Sequence, residues 1–132
     1  LTKLHTLLYK KFGGRFLGTF LGNPICMITA VGRRSGNLRT IPLLTIPYED
    51  DYILVASSGG SPLHPGWYYN LVNNPRIEMT VNSKTFAANA KKLSEDEKES
   101  IWPYIIKACP FYEEYRQKTT RNIPVFICYA IN

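Results

Sequence analysis

Residues 32–40 read Gly32-Arg33-Arg34-Ser35-Gly36-Asn37-Leu38-Arg39-Thr40, which puts three guanidiniums and two hydroxyls in one turn between apolar runs. A guanidinium stays charged and presents a planar fork of donors that matches phosphate or carboxylate oxygens, and flanking glycines let backbone N–H groups curl toward the same anion. The chemistry on offer is anion binding, and the plainer reading is an exposed basic hairpin tip. Further along, Ser57-Ser58-Gly59-Gly60-Ser61-Pro62 is a run of small residues where a flat ring or another backbone can approach closely. Trp67-Tyr68-Tyr69 supplies aromatic surface, and Tyr112 and Tyr115 lie one helical turn apart on a shared face. Alone, the tyrosines read as amphipathic surface packing. Together, these stretches suit a long ligand, anionic at the end held by arginines and flat at the end covered by aromatics.

Other site chemistries find no support in the spacing. No Gly-Lys-Ser/Thr follows the basic turn as a Walker A loop requires, and no Gly-x-Gly-x-x-Gly opens a helix. No Gly-x-Ser-x-Gly elbow or Cys/His pair is present, and Ser57 or Ser58 would need a base that the sequence does not place nearby, so a hydrolase is not expected. His5 and His64 are isolated and Cys26, Cys109 and Cys128 form no Cys-x-x-Cys pair, so no metal is expected. The odd, widely spaced cysteines point to a reducing, cytoplasmic compartment. Each reads as a small buried hydrophobe, with Cys109, among helical aromatics, the one most apt to differ. Basic and aromatic residues occur together without a standard nucleic-acid-binding motif, and no nucleic-acid partner is expected.

The elements that must position these residues follow from periodicity. At 132 residues, 45% hydrophobic and 20% charged, the chain has the make-up of one globular domain. Its net charge of +6 favours acidic ligands, anionic lipid or nucleic acid without choosing among them. Leu4, Leu8, Phe12, Phe16 and Phe20 recur every fourth position among Lys3, Lys10, Lys11 and Arg15, predicting an amphipathic helix over residues 1–22 with an interruption at Gly13-Gly14. Such a helix either packs on the core or lies peripherally on the inner face of the cell membrane. No apolar run reaches the ~20 residues needed to span a bilayer.

Asn23-Pro24 ends that helix, and residues 23–132 form the domain proper. Residues 25–31, 39–48 and 52–57 read as three strands of an antiparallel meander, the second bulged or at an edge because Pro42 and Pro47 lack donors. Residues 64–72 read as a short helix, and residues 77–81 and 85–93 as a hairpin about Asn82-Ser83. Ser94-Glu95-Asp96-Glu97 has capping-box spacing and opens a helix, Pro110 begins another, and residues 123–129 form the last strand. Six strands and about three helices give a mainly β (α+β) antiparallel barrel with appended helices.

Several motifs then occur in one order over nearly all the chain after residue 24. They are Gly32-Arg33-Arg34-Ser35-Gly36 with Arg39-Thr40-x-Pro42-Leu43, Val55-Ala56-Ser57-x-Gly59-Gly60, Pro65-x-Trp67-Tyr68-x-Asn70-Leu71-x-x-Asn74-Pro75, Trp102-Pro103, Pro110-x-Tyr112-x-x-Tyr115 and Thr120-Arg121-x-Ile123-Pro124-Val125. In these the sequence resembles the deazaflavin-dependent nitroreductase family. The resemblance implies a six-stranded antiparallel split β-barrel with flanking helices that binds coenzyme F420, a deazaflavin carrying a phosphate and a polyglutamate tail. It also implies an oxidoreductase in which reduced F420 is the hydride donor and a small electron-poor molecule, an enone, quinone or nitroaromatic, is the acceptor.

Carried over by position, Arg33, Arg34, Ser35, Arg39 and Thr40 would hold phosphate and tail, and Ile41, Pro42, Leu43 and Leu44 would line the path. Val55, Ala56, Ser57 and Ser58 would flank the ring, with Gly66, Trp67, Tyr68, Tyr69 and Asn70 shaping the other wall. Tyr112 would cap the ring and position the substrate or deliver a proton; it, Ser57 and Tyr115 are the catalytic candidates, with Ser57 or a nearby N–H donating to the developing anion. Two departures stand out. Members resembling the nitroimidazole-activating enzyme carry Ser-Lys-Gly-Gly where this chain has Ser57-Ser58-Gly59-Gly60, and a further tyrosine where it has Cys109. The cofactor half is kept and the substrate half altered, so nitroimidazole activation is not carried over. Two other uses of such a fold stay open, FMN in place of F420 and non-catalytic carriage of a fatty acid or lipid.

Overall fold

The computed structural model describes residues 19–20 and 22–131. Among the described residues the strands are β1 (Thr19–Phe20), β2 (Asn23–Val31), β3 (Leu38–Leu44), β4 (Ile46–Tyr48), β5 (Asp51–Val55), β6 (Arg76–Val81), β7 (Lys84–Lys92) and β8 (Val125–Ala130). The helices are α1 (Gly66–Asn73), α2 (Glu95–Ala108) and α3 (Phe111–Lys118), with a 3₁₀ turn at Ser58–Gly60. Every strand pairing is antiparallel, in the order β1-β2-β6-β7-β8-β5-β4, with β3 also paired to β2.

The mainly β class and the antiparallel barrel hold, but eight strands replace the six expected. The expected strand over residues 39–48 divides at Thr45, so that β3 pairs with β2 while β4, one residue later, pairs with β5 at the far end of the order. The three consecutive strands are therefore not a flat meander. They wrap around, and the chain itself crosses the gap between the two ends of a curled sheet. Pro42 and Pro47 fit this course, since neither β3 nor β4 is an inner strand flanked on both sides. Thr45 is fully buried at the crossing, where its N–H (2.9 Å) and its hydroxyl (3.2 Å) both donate to the Pro24 carbonyl and its Oγ1 lies 3.0 Å from Cys26 Sγ.

Most of the helix expected over residues 1–22 lies outside the described residues. Its last turn is overturned, because Thr19 and Phe20 are extended and pair antiparallel with Pro24 and Asn23. Gly22, just before Asn23, has φ +79°, a left-handed conformation that fits a chain reversal and not a helix.

Alternation along the strands builds two cores. Cys26, Ile28 and Ala30 of β2, Leu54 of β5, Ile77 and Met79 of β6, Ala88 and Ala90 of β7, and Phe126 and Cys128 of β8 fill the barrel interior. Ile53 and Val55 of β5 and Val125 of β8 face the other way, onto Trp102 and Ile105 of α2, Cys109 and Tyr112. Cys109, expected to differ from the other thiols, is as buried as Cys26 and Cys128, and burial pushes its thiol up to about 11.

The capping box closes as its spacing predicts: Glu97 N–H donates to Ser94 Oγ (3.2 Å) and Ser94 N–H to Glu97 Oε1 (2.9 Å). One turn on, the buried Lys98 ammonium donates to the Asn122 side chain and the Ile123 carbonyl (3.2 Å) and pairs with Glu95 (3.1 Å), tying α2 to the segment entering β8. Thr45→Val keeps the side-chain volume and the backbone bond but deletes the hydroxyl at the crossing. It is expected to lower stability by about 1–2 kcal/mol, read as a lower urea midpoint at unchanged slope.

Candidate functional site

The basic turn closes the β2–β3 hairpin. Gly32 N–H donates to Asn37 O (2.7 Å), Gly36 N–H to Gly32 O (2.8 Å) and Asn37 N–H to Ser35 Oγ (3.1 Å), so the turn is held from within. It is also held from outside by α1, which begins just after Pro65, whose fixed φ suits a helix start. The Arg33 backbone N–H (3.1 Å) and Nη1 (3.2 Å) both donate to Asn70 Oδ1, Nη1 also reaches the Gly66 carbonyl (3.3 Å), and the guanidinium lies 4.9 Å from the Tyr69 ring centre. One amide side chain thus fixes the hairpin to the helix.

Between them lies a cavity of about 330 Å³. Its apolar lining comes from Ile28 and Ala30 of β2, Ile41 of β3, and Trp67 and Leu71 of α1. Its polar lining comes from Arg33, Arg34, Ser35 and Arg39, with Asn70 and the backbone at Gly32 and Gly66. Among the described residues, no ion pair involves Arg33, Arg34 or Arg39, so their charge is not neutralised by an internal carboxylate. Arg34, Ser35 and Arg39 are exposed at the hairpin, and a bound anion there would meet donors already in place.

Of the residues expected at the site, the structure brings Arg33, Arg34, Ser35, Arg39, Ile41, Gly66, Trp67 and Asn70 to this cavity. Others sit elsewhere because β3 alternates: Thr40 Oγ1 bonds Thr29 Oγ1 (2.8 Å), Pro42 is buried, Leu43 packs on the barrel core and Leu44 on the helix-side core. Tyr68 packs on Phe126 with ring centres 5.9 Å apart, and its hydroxyl accepts from Lys92 Nζ (3.0 Å). Tyr69 carries Arg33 on its ring.

The small-residue segment after β5 forms a separate group. Val55, Ala56 and Ser57 are buried, and Ser58 is exposed with φ +47°. Tyr112 is buried in the helix-side core at 5% exposure, its ring 4.6 Å from Phe111 and 6.3 Å from Tyr115, and it is not part of the cavity lining. Burial above all, then Cys109 and Tyr115, pushes its phenol up, which works against proton delivery at neutral pH.

Sequence reasoning missed four lining residues and one organising residue. Ile28, Ala30 and Leu71 line the cavity and Gly32 contributes backbone; strand alternation on β2 marks the first two as facing one side. Arg121, quoted in a motif but given no role, donates to the carbonyls of Ala56 (3.0 Å), Ser57 (2.6 Å) and Ser61 (3.0 Å). No sequence pattern signals backbone acceptors sixty residues away.

A family model described as F420H(2)-dependent quinone reductase matches residues 1–130. An F420H(2)-dependent quinone reductase of Mycobacterium tuberculosis is 32% identical over 131 residues, covering 96% of this chain and 88% of its own. Among solved structures, an F420-H2 dependent reductase, FDR-A, superposes with TM-score 0.72 at 39% identity over 80% of this chain and 94% of its own. A chain described as a domain-swapped dimer superposes with TM-score 0.73 at 36% identity, over 92% of this chain and 97% of its own.

Asn70→Ala removes the acceptor shared by the Arg33 backbone and side chain. It is expected to speed hydrogen exchange at the Arg33 amide at least tenfold while leaving the strand amides of β6 and β7 unchanged, read by NMR.

Proposed function

The chain belongs to the F420H(2)-dependent quinone reductase family, and on that premise we propose that the basic turn and the cavity beneath it hold the phosphate and glutamyl tail of coenzyme F420. The protein is an oxidoreductase that uses reduced F420 as hydride donor. The observation that carries the tail assignment is the set of three guanidiniums with no carboxylate partner among the described residues, around an apolar-lined cavity of about 330 Å³. Phosphate and carboxylate oxygens are what such donors match, so the residues present fit the group.

In this reading Arg34, Ser35 and Arg39 bind the anionic tail, and Arg33, pre-set by Asn70 and Tyr69, adds a fourth polar group at a fixed angle. Ile41 and Trp67 flank the path toward the ring. The segment from Val55 to Ser58 borders the ring, and the Ser57 hydroxyl or a nearby N–H donates to the charge that develops on the acceptor. When bound, reduced F420 supplies the hydride. The acceptor is a quinone or a related enone or nitro compound, and its proton comes from water, since the Tyr112 phenol is buried and shifted away from acidity. Tyr112 and Tyr115 serve as packing behind the ring segment.

A cytoplasmic location with peripheral contact at the inner membrane face is part of the same proposal. The free thiols and the net charge of +6 support it. Flotation with anionic vesicles, with and without residues 1–21, tests the contact; equal flotation of both forms rejects it.

Titration of the purified protein with F420, FMN and FAD, followed by fluorescence, tests the cofactor. Binding of F420 with no saturable FMN binding is expected, and the reverse result would refute the assignment. Arg39→Gln is expected to raise the Kd for F420 by about tenfold or more, through loss of one charge-assisted bond, with kcat at saturation little changed.

A further inference from the structure

The segment that leaves β5 makes a turn with two bonds of its own, Gly60 N–H to Ser57 O (2.9 Å) and Ser61 N–H to Ser58 O (3.0 Å). Ser58, Gly59 and Gly60 have φ of +47°, +63° and +81°, three successive residues in the left-handed region, and Ser58 bears a Cβ there. Two neighbours brace it. On one side α3 comes so close that a Cβ on Gly60 would stand 2.9 Å from the Tyr115 carbonyl oxygen and 3.0 Å from Lys118 Cβ. On the other, a single guanidinium reaches carbonyls at both ends of the segment: Arg121 Nε donates to Ser61 O (3.0 Å), Nη1 to Ala56 O (3.0 Å) and Nη2 to Ser57 O (2.6 Å).

Nη1 also lies 2.7 Å from His64 Nδ1. A guanidinium nitrogen can only donate, so Nδ1 accepts and His64 is a neutral imidazole with its proton on Nε2. The groups facing His64 are Arg121, Lys92, whose ammonium donates to the Tyr68 hydroxyl (3.0 Å), the Tyr68 ring at 4.3 Å and the Tyr69 ring at 5.9 Å. Burial first, then Arg121 and Lys92, hold its pKa below the ordinary imidazole value. Among the described residues, no ion pair involves Arg121 itself, so its charge is directed at backbone dipoles and one ring nitrogen.

We propose that Arg121 is a positioning residue for the reductase reaction: it clamps residues 56–61 into the shape that faces the cofactor ring and locks His64 as its Nε2–H tautomer. This rests on the reading that the segment borders the ring. Removing the clamp takes a donor from Ala56 O, Ser57 O and Ser61 O together and leaves Ser57 O with the Gly60 N–H alone (2.9 Å), so the Ser57 donor loses its aim while the tail anchor at Arg33, Arg34 and Arg39 is untouched. The effect therefore falls on turnover and not on cofactor affinity. Protonation of His64 turns its acceptor into a donor facing a donor, so acid opens one corner of the clamp. Because the folded-state value is lowered, the unfolded chain takes up the proton more readily. The contribution of His64 to stability is present above the unfolded imidazole value of about 6.5 and is lost as pH falls below it.

The test compares wild type with Arg121→Gln, Arg121→Lys and Arg121→Gly, using reduced F420, a soluble benzoquinone as acceptor, and NMR of the His64 ring. For Arg121→Gln, kcat is expected to fall on the order of a hundredfold, the scale of an ångström-level misplacement, while the Kd for F420 moves less than about fivefold. Arg121→Lys should recover part of kcat, and millimolar guanidinium should restore part of the Arg121→Gly rate. In Arg121→Gln and Arg121→Gly the His64 ring should titrate at higher pH than in wild type, and in wild type its Nδ1 should be the unprotonated nitrogen. Unchanged kcat in Arg121→Gln, an equal loss in kcat and F420 affinity, or a wild-type His64 carrying its proton on Nδ1 would overturn the proposal. If Arg121→Gln does not fold, the lysine variant and the wild-type tautomer decide. Failure of wild type to bind F420 would instead defeat the cofactor assignment, with the His64 titration still reporting on the clamp.

Discussion

The barrel has a seam that no ladder closes, and everything else is arranged around how the chain crosses it. β3 and β4 are consecutive in sequence but belong to opposite ends of the curled sheet, so a single buried residue must turn between them without leaving polar groups unpaired. Thr45 does so by placing both its N–H and its hydroxyl on one acceptor, the Pro24 carbonyl. A buried backbone break is tolerable only when its donors are satisfied. With that settled, β3 pairs with β2 alone and carries its hairpin tip out over α1, where the cavity forms.

The site divides into two regions built on different physics. At the hairpin, guanidiniums that have no carboxylate partner among the described residues create a local positive field, while Asn70 and Tyr69 hold one of them at a set angle. The preorganisation is provided by neutral groups, which leave the charge intact. In the segment after β5 the reverse holds: one guanidinium is spent on carbonyls, and its charge goes into shaping backbone. The same residue type therefore presents its charge in one place and shapes backbone in another, and only its partners distinguish the two.

The two cores explain why these regions stay distinct. Residues of β5 and β8 alternate between the barrel interior and the helix-side layer, so Leu54 and Phe126 pack toward the cavity's side of the sheet while Val55 and Val125 pack under α2 and α3. Tyr112 belongs to the second layer. Its phenol is neutral by burial and packs in one core with Val55 at the end of β5.

What the sequence determined by itself was whatever is local or periodic. The hairpin glycines and arginines, the capping box at Ser94, the proline starts of α1 and α3, and the alternation of β6 and β7 each depend on residues within a few positions of one another, so their spacing carries the signal. The motif order was enough to indicate family and cofactor. What only the tertiary structure decided involves contacts of long range. These are the division of the second strand at Thr45, the pairing of Thr19–Phe20 with β2, the placement of Tyr112 in a core, and the reach of Arg121 to acceptors at Ala56, Ser57 and Ser61. Backbone carbonyls have no residue type, and an arginine that binds them leaves no complementary acid to read. A strand likewise does not record in its own residues where its two halves will find their partners.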